Sequence, residues 1–294
     1  MNNRILVIHN PVAGHRRRRR LRRFLKMLKQ SGHHVSVRST TQRGDAREIA
    51  RTANGMNLII AAGGDGTVNE TVDGLLANDR EGPMPAVGFL PLGTANVLAW
   101  ELGLPHRPRA LLRMIQTGQT VAVRPGVAND HRFVLMVSAG IDARAVAAVK
   151  SETKRLLGGA AYVFAALRAL RTRPPVYKVW IDGRQMQART VIVTRARRYG
   201  GPFTLTPDAG LENDGLHVVM MNSFGLMAAV RYGFALVLGQ LHKLSDVTVQ
   251  AGQSVTIEGP NGDPVQMDGD TVGVLPLSIS IEETPVPFLV TSTS

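Results

Sequence analysis

The stretch that most constrains this chain spans residues 57–70 and has the sequence NLIIAAGGDGTVNE. Its apolar residues 58–62 predict a short strand buried on both faces, as in a parallel sheet. Gly63 and Gly64 end that strand, and the residues from Asp65 onward open a helix. Such a junction suits a phosphate, because unpaired N–H groups and the positive end of the helix dipole face the anion.

Asp65 is unusual inside such a turn, because a carboxylate repels a phosphate group. Its presence is explained if it meets a cation or accepts a proton. The alternative is an ordinary strand-to-helix turn, with Asp65 as the N-cap and Glu70 as an exposed helix residue. The stretch by itself leaves both interpretations open.

Composition narrows the function classes. A length of 294 residues suggests two domains, and 44% hydrophobic residues suffice for a core. No run of about 18 apolar residues and no signal-peptide pattern occurs, and the sequence contains no cysteine. We therefore expect a cytoplasmic protein that has neither disulfides nor thiolate chemistry. The net charge of +13 predicts attraction to polyanions, but only 5% of the residues are aromatic. We therefore expect no nucleic-acid partner.

Strands and helices alternate through the first part of the chain. Strands are predicted at 4–8, 35–38, 58–62 and 85–90, with helices between them and at 111–118. This alternation predicts a doubly wound, mostly parallel α/β sheet over residues 1–120. Asn10, Thr40, the turn at 63–70 and Thr94 each follow a strand. Since ligands collect at the carboxyl ends of parallel strands, these residues could line one crevice.

The most basic run, HRRRRRLRRFLKMLKQSG at 15–32, follows the first strand. Its apolar residues have helical spacing, which predicts an amphipathic helix with arginines on the outer face. These apolar residues are Leu21, Phe24, Leu25 and Leu28. We interpret most of the arginines as a solvated face, although some could meet phosphates or lipid headgroups.

From Val121 onward, short strands separated by polar turns predict an antiparallel, sandwich-like domain over residues 121–294. Helices at 154–171 and 225–241 interrupt it, and return of the C-terminal tail to the first domain is an alternative. The loop at 207–216 suits a hard cation or an ordinary glycine turn. Asp268 and Asp270 are predicted to point to one side of an extended chain, with an Asp-Gly hairpin turn as the alternative.

Several motifs together resemble the diacylglycerol kinase catalytic family, which includes bacterial lipid kinases and sphingosine kinases. GGDGT at 63–67 is shared with NAD kinases and phosphofructokinase-like enzymes, whereas PLGTAN at 91–96 narrows the resemblance to lipid kinases. The later motifs that agree include Gly140-Ile141-Asp142-Ala143, Gly200-Gly201, Pro207-Asp208-Ala209, Asp214-Gly215 and Asp268-Gly269.

The resemblance implies a kinase that transfers the γ-phosphoryl group of ATP to the hydroxyl of a membrane lipid such as diacylglycerol. ATP and Mg²⁺ are the implied cofactors, with the nucleotide bound between the two domains. The implied nucleotide-binding residues are Asn10, Thr40, Gly63, Gly64, Asp65, Gly66, Thr67, Asn69, Glu70, Gly93 and Thr94. The implied magnesium ligands are Asp214 and the backbone carbonyls of Leu211 and Leu216.

The resemblance also assigns the catalytic base. Asp270 stands where bacterial members carry Glu, and Asp268 and Asp65 are alternatives for that role. Thr194-Arg195 is a second departure, because the family usually has Asn-Gly or Asn-Ala there. A kinase of a soluble substrate, like the NAD kinases, and a non-catalytic lipid or nucleotide-binding protein remain alternatives. We expect peripheral contact with an anionic membrane and keep a homodimer as an open expectation.

Overall fold

A computed structural model describes residues 3–13, 18–78, 82–105, 107–148 and 174–291 of the chain. It divides into two compact units. The first contains the described residues up to Arg124 and those from Thr284 onward, and the second is Pro125–Glu283. The helix predicted at 154–171 lies outside the described residues.

Alternating strands and helices build the first unit, as the apolar pattern predicts. Its strands are β1 (Arg4–His9), β2 (His34–Ser39), β3 (Leu58–Gly63), β4 (Ala86–Pro91), β5 (Thr120–Val123) and, from the C-terminal segment, β20 (Val286–Leu289). Its helices are α1 (Arg18–Gln30), α2 (Asp45–Arg51), α3 (Asp65–Leu76), α4 (Val97–Glu101) and α5 (Pro108–Thr117).

These strands form one six-stranded sheet in the order β2-β1-β3-β4-β20-β5. The first five run parallel to their neighbours, and only β5 is antiparallel to β20. All six residues of β3 are buried, as expected for a central strand covered on both faces. The carboxyl ends of β1 to β4 therefore meet at one edge of the sheet.

The unit boundary falls four residues later than the sequence analysis placed it. Val121 and Ala122 lie opposite Phe288 and Pro287 in the β5–β20 ladder. Because backbone hydrogen bonds to the returning tail hold this segment, residues up to Arg124 belong to the first unit. The change at Val121, from strands alternating with helices to short strands separated by polar turns, marks the start of antiparallel pairing rather than the start of the second unit.

The second unit consists mainly of antiparallel strands. They are β6 (Gly126–Ala128), β7 (His131–Phe133), β8 (Met136–Ala139), β9 (Tyr177–Ile181), β10 (Arg184–Ala188), β11 (Thr190–Thr194), β12 (Arg198–Tyr199), β13 (Phe203–Thr204), β14 (Leu216–Met221), β15 (Val247–Gly252), β16 (Val255–Glu258), β17 (Pro264–Met267), β18 (Asp270–Val274) and β19 (Leu277–Ile281). The α-helices among its described residues are α6 (Ile141–Ala148) and α7 (Leu226–Val237).

Two six-stranded sheets make up most of this unit, in the orders β10-β9-β16-β19-β6-β7 and β15-β14-β11-β8-β17-β18. One buried core contains inward residues of both sheets, such as Val179 and Ile257 from the first and Val193 and Val218 from the second. This confirms the predicted fold class, an α/β sheet followed by a β-sandwich-like domain. No helix in the described part of the chain is long and apolar enough to cross a membrane.

Candidate active site

Two glycine turns lie side by side at the carboxyl ends of β3 and β4. The carbonyl oxygen of Gly63 accepts the N–H groups of Leu92 at 2.7 Å and Gly93 at 3.0 Å. A Cβ built on Gly93 would lie 2.7 Å from the Cα of Gly64, so only glycine permits this approach. Tertiary structure thus joins the GGDGT and PLGTAN motifs into one backbone frame.

Asp65 links the two turns. Its two carboxylate oxygens accept the backbone N–H groups of Val97 and Leu98, each at 3.0 Å, so it caps the first turn of α4. The N-cap of its own helix α3 is Gly64. The N-cap interpretation therefore named the wrong helix, and a catalytic role for Asp65 stays a prediction.

The electrostatic environment of Asp65 combines opposing effects. Burial raises the pKa of this carboxyl, whereas the N–H groups of Leu98 and Val97 act in the other direction. Burial of the carboxyl group is the larger of these effects. Hydrogen bonds to the N–H groups of Val97 and Leu98 engage both carboxylate oxygens.

Glu70 has a comparable structural task. Its carboxylate accepts the N–H groups of Gly44 at 3.0 Å and Ala46 at 3.2 Å, at the N-terminus of α2. Gly44 has a φ of 87°, a conformation that favours glycine. Glu70 is therefore not simply an exposed helix residue. It ties α3 to α2, and direct contact with a nucleotide stays a prediction.

The remaining predicted residues of this unit lie near the same sheet edge. Asn10 follows β1, donates from Nδ2 to the Oγ1 of Thr67 at 3.3 Å, and accepts the N–H of Val12 at 3.0 Å. Thr40 is buried after β2, and Thr94 is exposed on the second glycine turn. Gly66 and Asn69 belong to the first turns of α3, where the N–H groups of Thr67 and Val68 donate to the carbonyl oxygen of Gly64 at 3.0 and 3.3 Å.

Sequence reasoning missed the role of Arg20. The helical stripe of α1 buries Leu21, Phe24 and Leu28 as predicted, whereas Leu25, the fourth residue of the predicted stripe, is half-buried. Arg20, however, is half-buried and donates from Nη1 to the carbonyl oxygen of Pro91 at 3.1 Å. One arginine of the basic run thus sits where the PLGTAN motif begins, and no periodicity distinguishes it from its solvated neighbours.

In the second unit, Asp268 and Gly269 form the turn of a hairpin between β17 and β18. Both have positive φ, 49° and 88°, as a two-residue type I′ turn requires. Asp268 and Asp270 therefore do not lie on one side of an extended chain, and the hairpin alternative is correct. Met267 and Asp270 pair directly across the turn.

The carboxylate of Asp268 accepts three backbone N–H groups. They come from Val134, Leu135 and Met136, at 2.7, 2.9 and 2.8 Å. These contacts hold the entry into β8 and occupy both oxygens, which leaves little capacity for a substrate proton. The structure therefore favours Asp270, half-buried at the start of β18, for the role of base. This assignment stays a prediction.

Beside this hairpin, Asp142 accepts hydrogen bonds from several side chains. The family resemblance includes Asp142 in a matching motif but assigns it no role. Its Oδ2 accepts Ser138 Oγ at 2.5 Å and Gln266 Nε2 at 3.0 Å, and its Oδ1 accepts the hydroxyl of Tyr199. Gln266 also accepts the N–H of Gly269 at 2.9 Å. The network fixes the hairpin that carries Asp270.

The proposed magnesium ligands lie in the loop before β14. Asp214 is exposed, and Leu216 is the first residue of β14. Leu211 already shares its carbonyl oxygen with Nη2 of the buried Arg195, at 3.2 Å. No cluster of three or more His, Asp or Glu that could hold a metal occurs among the described residues. A resident magnesium ion does not fit beside this guanidinium, so no catalytic step is assigned to one.

Comparison with known proteins identifies the class. A diacylglycerol kinase catalytic domain model matches residues 4–128, and a YegS C-terminal NAD kinase beta sandwich-like domain model matches residues 135–290. The crystal structure of a diacylglycerol kinase from Bacillus anthracis str. Sterne shares the fold, with a TM-score of 0.77 at 23% identity over 99% of this chain and 98% of that one.

Two curated relatives cover most of the chain. The "Diacylglycerol kinase" of Bacillus subtilis (strain 168) is 29% identical over 279 residues, which are 92% of this chain and 90% of the relative. The "Probable lipid kinase YegS-like" of Enterobacter sp. (strain 638) is 32% identical over 234 residues, 77% of this chain and 76% of the relative. The chain belongs to the diacylglycerol kinase catalytic-domain family. It is accordingly a lipid kinase, an enzyme with a lipid alcohol as acceptor.

Proposed function

We propose that this lipid kinase transfers the γ-phosphoryl group of ATP to the hydroxyl of a membrane lipid such as diacylglycerol. The observation that carries the proposal is the locked pair of glycine turns. Gly63 binds the N–H groups of Leu92 and Gly93, and Asp65 binds those of Val97 and Leu98. Hydrogen bonds within the protein hold this frame, which favours its use as a preorganised binding site for a triphosphate.

The phosphates of ATP would bind the backbone N–H groups at the start of α3. This helix has 12 residues, and its N-terminus opens with Asp65 and Gly66 beside the PLGTAN turn. Asp65 and Glu70 act as positioning residues in this scheme, because their carboxylates hold α4 and α2. Mg²⁺ arrives with ATP as part of the substrate and neutralises phosphate charge.

Asp270 would supply the base. The lipid hydroxyl gives its proton to the Asp270 carboxylate while the hydroxyl oxygen forms a bond to the γ-phosphorus and the bond to the ADP oxygen breaks. The Asp142 network positions this residue through Gln266 and Gly269. Asp268 is excluded from that task in this scheme because it holds three N–H groups.

The purified protein, incubated with γ-labelled ATP and a total lipid extract, tests this function. We expect label in a lipid that carries a free hydroxyl, and no label with Asp270→Asn. Parallel reactions contain NAD or diacylglycerol in micelles as the sole acceptor. Label on NAD alone would identify a kinase of a soluble substrate. Binding of ATP without transfer to any acceptor would identify a non-catalytic protein.

Membrane contact is a second part of the proposal, and α7 supports it. The helix buries Ala228 and Ala235 and exposes its large apolar residues, which is the reverse of a core helix. At 100° per residue they span about 120° of one face. They are Leu226, Met227, Val230, Phe234, Val237 and the adjoining Leu238, between 54% and 81% exposed.

An anionic bilayer is the occupant that suits this face. Apolar side chains can enter the headgroup region while the net charge of +13 is attracted to anionic lipids. Arg231, which forms an ion pair with Asp246, is exposed on the same helix, and Lys243 is exposed in the short 3₁₀ helix that follows it. A lipid kinase must also extract or reach an acyl lipid, which a docked helix would favour.

Vesicle co-sedimentation tests this surface with the triple change Val230→Gln, Phe234→Gln and Val237→Gln. We expect weaker binding to phosphatidylglycerol vesicles and unchanged ATP binding. Val37→Gln, which alters an apolar residue 41% exposed on β2, is the control and should bind normally. If the triple variant binds vesicles normally but changes a dimer to a monomer in solution, the face joins two copies of the chain and membrane docking is refuted.

A further inference from the structure

Arg195 follows the last residue of β11 and is 1% exposed, among the largest fully buried side chains of the described residues. Its backbone N–H donates to the carbonyl oxygen of Leu135 at 2.8 Å, which fixes the start of the side chain. A long basic side chain is rarely this buried unless its charge is compensated. What the guanidinium meets therefore indicates what it does.

The guanidinium group reaches into the loop at 207–216. Nη2 donates to the carbonyl oxygen of Leu211 at 3.2 Å, and Nη1 donates to the carbonyl oxygen of Gly215. These carbonyls flank Asp214 on both sides. One planar, permanently charged group thus bridges the two ends of the turn that carries Asp214.

The same oxygen cannot readily serve a metal ion. Leu211 supplies one of the three ligands that the family resemblance implies for Mg²⁺. Mg²⁺ requires near-octahedral oxygen ligands at about 2.0–2.1 Å, whereas this carbonyl already accepts a cationic donor. A divalent ion at Leu211 would stand within a few ångströms of a buried positive charge and be repelled by it.

We infer that the guanidinium of Arg195 replaces the divalent cation in this loop, so that the loop at 207–216 holds its structure without a metal ion. A single buried side chain supplies both the positive charge and the hydrogen-bond donors to the carbonyl oxygens of Leu211 and Gly215. The inference concerns only this loop and is independent of which lipid is phosphorylated.

Thermal unfolding without nucleotide tests the inference. The melting temperature of the wild-type protein should be the same in EDTA and in excess Mg²⁺. Arg195→Ala should melt roughly 5 °C or more lower in EDTA, and Mg²⁺ should restore part of this loss. The combination of Arg195→Ala with Asp214→Asn should lose the Mg²⁺ effect, because it removes the carboxylate ligand.

Two controls keep the test informative. Arg198→Ala removes an arginine that also donates to a backbone carbonyl, that of Pro202 at 2.7 Å, but lies outside the loop. It should show no Mg²⁺ effect. Arg195→Lys keeps the positive charge but lacks the planar guanidinium group that donates to two carbonyl oxygens. It provides a milder variant in case Arg195→Ala does not fold. It should be less stable than wild type and also insensitive to Mg²⁺.

Direct binding gives a second readout. Mn²⁺ titration followed by electron paramagnetic resonance should find one more bound ion in Arg195→Ala than in its Asp214→Asn double variant, and no such difference between wild type and Asp214→Asn. An ion lost from the wild-type protein on Asp214→Asn would overturn the inference. So would an Arg195→Ala variant whose stability in EDTA equals that of wild type.

Discussion

Three acidic side chains, two in the first unit and one in the second, accept backbone N–H groups from distant segments. Asp65 caps α4, Glu70 caps α2, and Asp268 holds the entry into β8. A hydrogen bond to a charged acceptor contributes about 1.5–3 kcal/mol, and an orphaned buried donor costs a similar amount. These residues consequently act first as supports of the backbone, whereas Asp270 remains the candidate for proton transfer.

Asp268→Asn should reduce the free energy of unfolding by about 1–3 kcal/mol. The new amide NH2 group would face a backbone N–H, so at least one of the three hydrogen bonds at Asp268 is lost. Asp270→Asn is the matched variant. It should leave stability and the KM for ATP unchanged but lower kcat about a hundredfold or more. Urea unfolding and steady-state kinetics measure the two effects. Normal stability of Asp268→Asn together with lost turnover would move the base to Asp268.

Asp65→Asn should reduce turnover to less than about a tenth of the wild-type value, a loss above ~1.4 kcal/mol in transition-state stabilisation. The amide oxygen can accept the N–H of Val97 or of Leu98, but not both, so the PLGTAN turn shifts away from the GGDGT turn. Kinetics with saturating lipid measure the loss. Near-normal turnover would show that the cap is dispensable for catalysis.

The pH dependence of stability provides an independent test of Asp65. Burial raises its pKa, so the native state binds the proton more tightly than the unfolded chain does. Its stabilising contribution is full below the unfolded-state pKa and is lost as the pH rises through the raised folded-state pKa. As the pH rises above about 4, the ordinary pKa of an Asp carboxyl, the wild type should lose stability relative to Asp65→Asn. A pH-independent difference would contradict the shift.

At the scale of elements, the close approach of two turns decides the geometry at the carboxyl ends of β3 and β4. Parallel pairing of β3 with β4 brings Gly63 opposite Pro91. Gly64, directly after β3, and Gly93, two residues after β4, then allow backbone to pack on backbone. The helices α3 and α4 start from this contact, so their first N–H groups are placed by one small junction.

Gly93→Ala should disrupt that junction, because its Cβ would lie 2.7 Å from the Cα of Gly64 and 2.8 Å from Oδ1 of Asn96. We expect a loss of about 1–3 kcal/mol in unfolding free energy and an increase of at least about tenfold in KM for ATP. Gly64→Ala is the control, since its Cβ would find its nearest contact at 3.5 Å. It should keep its stability. Equal destabilisation of both variants would argue against the close approach as the cause.

At the scale of the whole molecule, the net charge of +13 is distributed unevenly. The described part of α1 exposes Arg19, Arg22 and Arg23, whereas Arg20 binds the carbonyl of Pro91. Exposed charges act on an anionic surface over about 8–10 Å at ordinary ionic strength. Attraction to an anionic membrane can therefore arise from the exposed arginines of α1 in particular or from the net charge of the whole protein.

Changing Arg19, Arg22 and Arg23 to Ser should weaken binding to anionic vesicles at low salt, since each basic residue near the surface contributes about 1 kcal/mol. The buried stripe and Arg20 are kept, so the helix and ATP binding should persist. Co-sedimentation at low and high salt measures the effect. Binding that is unchanged or insensitive to salt would show that the run is only a solvated face.

A variant with equal charge loss elsewhere separates local from total charge. Arg113, Lys178 and Arg184 are exposed outside α1, and their change to Ser removes the same three charges. This variant should bind vesicles more tightly than the α1 variant. Equal weakening would mean that the membrane responds to the net charge and not to the helix.

The sequence by itself determined the fold class and the position of the two glycine turns. Periods of apolar residues and the placement of Gly63, Gly64 and Gly93 are local properties, because they depend on backbone freedom and burial of neighbouring positions. The buried strand β3, the amphipathic α1 and the antiparallel second unit therefore followed from patterns within short windows of sequence.

Only the tertiary structure decided which partner each charged side chain meets. Asp65 binds N–H groups 32 and 33 residues away, and Asp268 binds groups 132 to 134 residues away. Arg195 reaches carbonyls 16 and 20 residues along the chain. No local period encodes such pairs, since strand order and register bring them together only after the sheets have formed. The sequence determines which residues carry a carboxylate or a guanidinium group. The contacts that form on folding determine what each of these groups does.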